Sequence, residues 1–159
     1  MTYLIQRDER NLVHAETIYT SISSQTVTSS AQVDVNGTEI QYDTTGHTYL
    51  ARWIVYEYNI QMYWNSTNAD AHASFELWEK IGSTWSSLGA NYRACERFTF
   101  WHNSVLAGKF FIPVFTGVRS YKLRARSENS SHDFRLNVAT TGAGLENRIR
   151  PPLIKMYTI

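Results

Sequence analysis

The chain has 159 residues, of which 43% are hydrophobic and 18% are charged, and its formal net charge is +1. This length suits one ordinary domain, and the composition is too apolar for a disordered chain and too polar for a membrane protein. The small net charge argues against a general nucleic-acid-binding protein. Because Cys95 is the only cysteine, the fold is not a disulfide framework.

The first thirty residues differ in composition from the rest of the chain. Met1–Arg10 lacks the basic region and the apolar stretch of a signal peptide, and Ser and Thr crowd residues 17–30. We interpret residues 1–17 as an N-terminal arm and residues 18–159 as one domain. The pattern leaves open whether the opening segment is an extended arm or an edge strand.

Alternation of apolar and polar residues dominates the domain. Between Thr48 and Trp64 the even positions are mostly apolar, and the odd positions become polar after Val55. The same period of two recurs in residues 71–81, 121–126 and 134–138. This pattern is typical of antiparallel strands with one face in the core and one in water. The first run is long for one strand, so we expect a bend or bulge within it.

Turn-forming residues separate these runs. The dipeptide Asn36-Gly37 lies between two alternating segments, which predicts a β-hairpin there. Gly82-Ser83 and Thr116-Gly117 mark further turns. The only helix that the sequence suggests is a short one near residues 91–97.

No group of residues has the spacing of a catalytic or metal site. The histidines lack zinc-site spacing, and phosphate-binding and nucleophile-elbow motifs are absent. We interpret Cys95 as a small, partly buried structural cysteine. Glu57 and Glu76 would approach one another only if their strands shared a sheet face, and solvated carboxylates are the favoured interpretation. The sequence therefore predicts a protein that is not an enzyme and needs no cofactor or metal.

The aromatic residues are the most informative feature. Residues 110–115 are apolar at odd and even positions alike, which predicts a strand buried on both faces. A loop of the same protomer would be one cover for the second face, but another copy of the chain is the favoured cover. The predicted oligomer contacts are Trp53, Trp101, Phe111, Pro113, Phe115 and Tyr157.

The order of the segments resembles a known domain. A Ser/Thr-rich opening, an aromatic strand at residues 49–64, a short strand at 73–80, an aromatic stretch at 110–115, a turn at Gly117 and a closing strand at 153–159 follow one another. Together they resemble the compact trimeric jelly roll of the tumour-necrosis-factor and complement-globular-head type. More narrowly, they are similar to small proteins on tailed-bacteriophage particles that carry this domain. The resemblance implies an all-β antiparallel jelly-roll sandwich, a homotrimer and no catalytic residues.

The resemblance also implies a place on a virus particle. We expect a capsid decoration or cement protein, or a fibre-knob subunit, that is assembled in the host cytoplasm and sits on the virion surface. Its partners would be its own copies and a capsid or tail protein of the same virion, without nucleic acid or membrane. The particle contacts would be Tyr3, Ile5, Arg7 and Arg10.

Two other functions stay open at this point. A carbohydrate- or receptor-binding module, such as a phage tail adhesin, would bind a host-surface glycan through Tyr63, Trp64, Trp78 and His132. A polysaccharide depolymerase is a third hypothesis, and it is weakened by the lack of a convergent acid pair.

Overall fold

The computed structural model describes residues 2–7, 12–18, 25–28, 31–46, 52–64, 71–98, 102–128, 133–139, 148–149 and 151–159. Within these ranges the chain forms strands and one 3₁₀ turn, Ala90–Tyr92. In chain order the strands are β1 (Thr2–Arg7), β2 (Leu12–Ile18), β3 (Gln25–Val27), β4 (Val33–Asp34), β5 (Ile40–Asp43), β6 (Trp53–Trp64), β7 (Ala71–Ile81), β8 (Thr84–Ser87), β9 (Arg93–Phe98), β10 (His102–Pro113), β11 (Val118–Ser127), β12 (Phe134–Leu136), β13 (Val138–Ala139), β14 (Arg148–Ile149) and β15 (Leu153–Thr158). No helix among these residues has the length and hydropathy to span a membrane.

The strands form two main antiparallel sheets. In sheet A the order is β1-β2-β15-β6-β10, and β12 and β3 continue the sheet alongside the far end of β6. In sheet B, β11 lies between β7 on one side and β4 and β5 on the other, while β8 and β9 lie along the opposite edge of β7. A separate short ladder joins β13 and β14.

The distribution of strands between the sheets is that of a jelly roll. Sheet A holds β2, β6, β10 and β15, and sheet B holds β4 with β5, β7, β8 with β9, and β11. Consecutive strands therefore cross repeatedly from one sheet to the other, as they do in double Greek-key sandwiches. The all-β jelly-roll sandwich predicted from the sequence is confirmed.

The hydrophobic core lies between the two sheets. Even-numbered residues of β6 from Ile54 to Met62 point into it, as the alternation predicted. They meet odd-numbered residues 73–77 of β7 and 121–125 of β11. Aromatic rings bridge the layers; the Phe75 and Phe134 ring centroids, for example, are 5.9 Å apart. The largest fully buried side chains are those of Tyr42, Tyr56, Tyr121, Phe75, Phe134, Ile40, Ile54, Ile60, Met62, Leu77 and Leu123.

The expected bulge is not found in β6. Its pairing with β10 runs without a break from Trp53 opposite Pro113 to Trp64 opposite His102. The bulge alternative is thus excluded over these residues, where two successive partners, β15 and then β12, support the other edge of the strand; β6 begins at Trp53, later than the alternation suggested.

The predicted hairpin at Asn36-Gly37 is also wrong. β4 and β5 do not pair with each other; both pair with β11, one after the other along the same edge. Gly37 has a φ of 78°, so this one residue of the dipeptide does adopt the left-handed backbone that glycine allows. At this dipeptide the chain loops away from β11 between two strands that pair with the same edge of β11. The Thr38 hydroxyl, just after the loop, accepts a hydrogen bond from the Leu123 amide of β11.

The helix expected near residues 91–97 is likewise not formed. A single 3₁₀ turn, Ala90–Tyr92, precedes β9, and β9 pairs with β7 from Phe98 opposite Ala71 to Arg93 opposite Glu76. Pairing with the sheet outweighs the weak helical preference of this segment. The turn predicted at Gly82-Ser83 is confirmed, since it connects β7 and β8 as a hairpin.

The opening segment joins the sheet. β1 and β2 pair from Thr2 opposite Thr17 to Arg7 opposite Leu12, and β2 pairs in turn with β15. In the described chain β1 is thus the outermost strand of sheet A. The division of the chain at residue 17 stays a prediction.

Candidate interaction surfaces

The outer face of sheet A, called face A here, carries the odd-numbered residues of β6, those of β10 from Val105 onward and those of β15. Its apolar end brings together Trp53, Phe111 and Pro113, with Ile159 beside them. Trp53 is 42% exposed, Phe111 is 48% exposed and Ile159 is 55% exposed. Adjacent exposed apolar side chains of this kind are a common feature of protein interaction surfaces.

The centre of this apolar end is already shielded within the protomer. Val55 points outward but is only 1% exposed. Phe111 and Tyr157 lie directly opposite it on the two neighbouring strands. The larger side chains around Val55 therefore form one continuous hydrophobic surface.

A charged cluster borders the apolar end of face A. Glu57 accepts a hydrogen bond of 2.8 Å from the Tyr157 hydroxyl and lies 3.1 Å from the Lys109 ammonium group. Lys109 also donates to the Tyr157 hydroxyl oxygen at 2.9 Å. The Tyr157 hydrogen bond lowers the pKa of Glu57 against the opposing effect of burial, and the Lys109 charge lowers it further. The carboxylate is therefore ionised and paired, as in a polar interface rim.

The structure places four of the six predicted oligomer contacts on face A. These are Trp53, Phe111, Pro113 and Tyr157. Phe115 does not join them, because the alternation breaks after Pro113 and Val114 is exposed instead. The Phe115 ring is buried against Tyr42 and Tyr121, so its expected place beside Phe111 was wrong. Trp101 lies outside the described residues.

Three of the predicted particle contacts lie on β1. Tyr3, Ile5 and Arg7 pair with Glu16, His14 and Leu12 of β2. Arg10 lies outside the described residues. Contact of this strand with a particle stays a prediction.

The outer face of sheet B, called face B here, is polar and carries two tryptophans. The Lys122 ammonium group lies 4.0 Å from the centroid of the Trp85 ring. The Arg124 guanidinium lies 4.4 Å from the centroid of the Trp78 ring. Asp34 joins the two cations, at 2.6 Å from Lys122 and 3.1 Å from Arg124. Lys122, Arg124 and Arg126 thus form a positive stripe on the central strand β11, which neighbouring carboxylates neutralise in part.

A buried carboxylate, that of Glu76, lies beneath the tryptophans and cations of face B. Glu76 is 6% exposed and accepts hydrogen bonds from Ser87 at 2.6 Å, Gln32 at 2.8 Å and the Trp78 indole at 3.1 Å. Burial by itself raises the pKa of Glu76, but these three hydrogen bonds outweigh it and lower the pKa below its ordinary value. The sequence did not reveal this cluster, because Glu76 falls among the outward-facing polar positions of β7, where a carboxylate is normally in contact with water.

A second buried carboxylate was also missed, although the sequence contains a signal for it. Glu79 falls in the inward register of Phe75 and Leu77, where an acidic residue needs partners. It accepts hydrogen bonds from the Tyr121 hydroxyl at 2.6 Å and from Arg119 at 2.8 Å. Burial and the Glu79 charge raise the pKa of Tyr121, so its hydroxyl stays a donor. The cluster closes one end of the core.

The residues proposed for a glycan do not converge. Trp78 lies on face B, whereas Tyr63 lies on face A, on the opposite side of the sandwich. Trp64 contributes its backbone to β6, and His132 lies outside the described residues. The grouping of Tyr63 with Trp78 was therefore wrong, because periodicity does not tell which sheet a strand joins.

The structure decides two further interpretations. Glu57 and Glu76 lie on opposite outer faces, so they form no carboxylate pair, and Glu76 is buried, not solvated as expected. Cys95 is exposed on β9, not partly buried as expected. In the described part of the chain, no three His, Cys, Asp or Glu side chains are grouped to hold a metal ion.

Comparison with known proteins gives a likeness of fold only. No family model and no curated protein matches the chain. Among solved structures, it is similar to dimeric latent PorU from Porphyromonas gingivalis, with 8% identity over 86% of this chain and a TM-score of 0.39. It is also similar to the infectious bursal disease virus Gx strain structure, with 11% identity over 99% of this chain and a TM-score of 0.39. Eiger TNF from S. frugiperda shows 8% identity over 90% of this chain and a TM-score of 0.35.

The lengths of these structures differ widely. The chain spans 12% of the PorU chain, 37% of the bursal disease virus chain and 93% of the Eiger chain. Identities and scores at this level carry no conclusion about what this chain does.

Proposed function

We propose that the chain is a non-enzymatic structural protein of a bacteriophage particle that assembles as a homotrimer through face A. The observation that carries the proposal is the apolar end of face A, where Trp53, Phe111 and Ile159 are exposed beside one another. Covering such side chains contributes about 25 cal/mol for each Å² of apolar surface removed from water.

The composition of face A supports an interface between proteins. Aromatic residues occupy its apolar end, and the ion-paired Glu57 and Lys109 border that end. Protein interfaces commonly have an aromatic-rich centre and a polar rim. The described part of the chain provides no cover of its own for Trp53 and Phe111, so a second copy is the proposed cover.

The number of copies and the place on a particle have a different support. They follow from the resemblance of the sequence pattern to compact trimeric jelly rolls on phage particles. Contact with the particle is proposed for β1, because it is the outermost strand of sheet A in the described chain and its backbone offers an edge.

Sedimentation velocity of the purified chain tests the assembly. We expect a species of three times 18.3 kDa at low micromolar concentration. Trp53→Asp should dissociate it, because the interface would bury an unpaired carboxylate. Val118→Asp is the control, since Val118 is also exposed but belongs to sheet B. A monomeric wild-type chain would contradict the proposal. The chain should also be found by mass spectrometry in particles purified from its source.

A further inference from the structure

Face B presents two indole rings in a fixed arrangement. Trp78 and Lys122 are directly paired across β7 and β11, and Trp85 and Lys80 are directly paired across β8 and β7. The Trp85 ring covers Lys122, whose side chain is only 12% exposed although it is charged. One side of that indole is therefore occupied by a cation, and Trp85 is itself partly exposed.

The orientation of the Trp78 ring is fixed by a hydrogen bond to the buried Glu76. Its indole nitrogen donates to Glu76, which is itself held by Ser87 and Gln32. Arg124 lies over the Trp78 ring and donates a hydrogen bond of 2.7 Å to the Gln32 carbonyl oxygen. The ring is thus held in place without any ligand, and a preorganised ring loses little entropy on binding.

Positive charge exceeds negative charge on face B. The buried Glu76 takes its hydrogen bonds from neutral groups, Asp34 is shared by two cations, and Glu128 is paired with Arg126. Among the described residues Lys80 is in no ion pair, whereas the Arg93 charge lowers the pKa of Glu76 and of Glu128. Lys80 lies 5.8 Å from the centroid of the Trp85 ring, on the same side of the sheet as Lys122.

We infer that face B binds an anionic carbohydrate. Sugar rings stack on part-exposed indoles, and Trp85 and Trp78 supply two of them in adjacent rows of the sheet. The carboxylates of an acidic sugar would meet Lys80, and the covered Lys122 would add its positive charge from beneath the Trp85 ring. The sugar hydroxyl groups would find acceptors in Asp34. Single-stranded nucleic acid is disfavoured, because a chain with a net charge of +1 lacks the broad positive field that phosphates need.

Isothermal titration of the full chain with an oligogalacturonate tests the inference, with a neutral cello-oligosaccharide and an oligothymidylate of similar length as comparisons. We expect binding to the acidic sugar alone. Trp85→Ala should weaken it about ten-fold through loss of a stacking surface. Lys122→Met should also weaken binding of the acidic sugar, because it removes the positive charge while an aliphatic side chain of similar length still supports the Trp85 ring. Arg135→Met is the charge-matched control, because Arg135 is exposed on β12 of sheet A.

Three outcomes would overturn the inference. They are tighter binding of oligothymidylate than of oligogalacturonate, unchanged affinity in both Trp85→Ala and Lys122→Met, and no binding of either oligogalacturonate or a sulfated oligosaccharide. Thermal unfolding of each variant establishes that it is folded; if Trp85→Ala is not, Lys122→Met decides. Because all these residues lie on face B, the result is independent of the oligomeric state tested at Trp53.

Discussion

The ring of Tyr58 lies over the backbone of Gly108, its directly paired neighbour across β6 and β10. A Cβ atom added at residue 108 would lie 2.6 Å from the Tyr58 Cζ atom. Tyr58 also stacks on Phe110, with ring centroids 5.6 Å apart. Glycine is therefore required here by the close approach of a tyrosine, not by a turn.

Gly108→Ala should destabilise the protein, because the added methyl group displaces the Tyr58 ring from its contact with Phe110. We expect the free energy of unfolding to fall by about 1–3 kcal/mol, as in other overpacked cores. Chemical denaturation measures the change. Ala107→Ser, at the exposed neighbouring position, is the control and should alter stability little. A Gly108→Ala protein as stable as the wild type would show that the Tyr58 ring has room to move.

Thr38→Val should also destabilise the protein, here because it removes hydrogen bonds and not because it disturbs packing. The buried Thr38 hydroxyl donates to the Val35 carbonyl oxygen at 2.7 Å and accepts from the Leu123 amide at 3.1 Å. Valine has a similar shape but leaves the Leu123 amide without this acceptor, while the Val35 carbonyl oxygen still accepts from the Thr38 amide. An unpaired buried amide costs about 1–3 kcal/mol. Thr38→Ser keeps the hydroxyl and should lose less. Equal losses in the two variants would show that the Thr38 methyl group contributes as much to stability as its hydroxyl.

Alternation was enough to identify the long strands and their inward faces. Ile54, Ile60 and Met62 were expected in the core and are fully buried. Asn36-Gly37 shows the limit of local patterns, because the dipeptide reports where the backbone can take a positive φ but not which strand its flanks pair with. β9 shows the same limit, since its conformation is set by pairing with β7, a distant segment.

The surfaces could be predicted only in part for a related reason. Trp53 and Phe111 were expected to lie together, and a continuous register between β6 and β10 places them on one face. Phe115 escaped the same reasoning because the strand ends at Pro113 and the chain changes direction. Glu57 and Glu76 look alike in sequence, yet they occupy opposite faces because consecutive strands of a jelly roll belong to different sheets.

Stability should fall as the pH is lowered through the acidic range. The pKa values of Glu57, Glu76 and Glu128 are all lower in the folded protein than the ordinary value of 4.5. The unfolded chain therefore takes up protons first, and each group contributes stability above its ordinary pKa that is lost as the pH falls through its folded pKa. Thermal unfolding measured from about pH 6 to pH 3 should show a falling melting temperature.

Glu76→Gln isolates the contribution of one carboxylate. Glutamine keeps the size of the side chain, and its carbonyl oxygen still accepts a hydrogen bond, but it does not titrate. We expect the variant to be less stable than the wild type at neutral pH, where the charged acceptor is the stronger one. We also expect its melting temperature to depend less on pH below the ordinary value of 4.5. An unchanged acid dependence would place the titration at other groups.

Phe110 and Phe111 are neighbours in sequence that should respond differently to truncation. Phe110 is 7% exposed and packs against Tyr58 and Tyr92, so Phe110→Ala leaves a cavity in the core. We expect it to lower the free energy of unfolding by about 3–5 kcal/mol.

Phe111→Ala removes a ring that is 48% exposed in one protomer, so the free energy of unfolding of a dissociated protomer should change little. Its expected effect is on assembly, because interface aromatics buried by a partner dominate the binding energy. Sedimentation over a dilution series should therefore show Phe111→Ala dissociating at a higher concentration than the wild type. If Phe111→Ala instead destabilised the dissociated protomer as strongly as Phe110→Ala, its ring would act within one chain, and face A would lose its main support as an assembly surface.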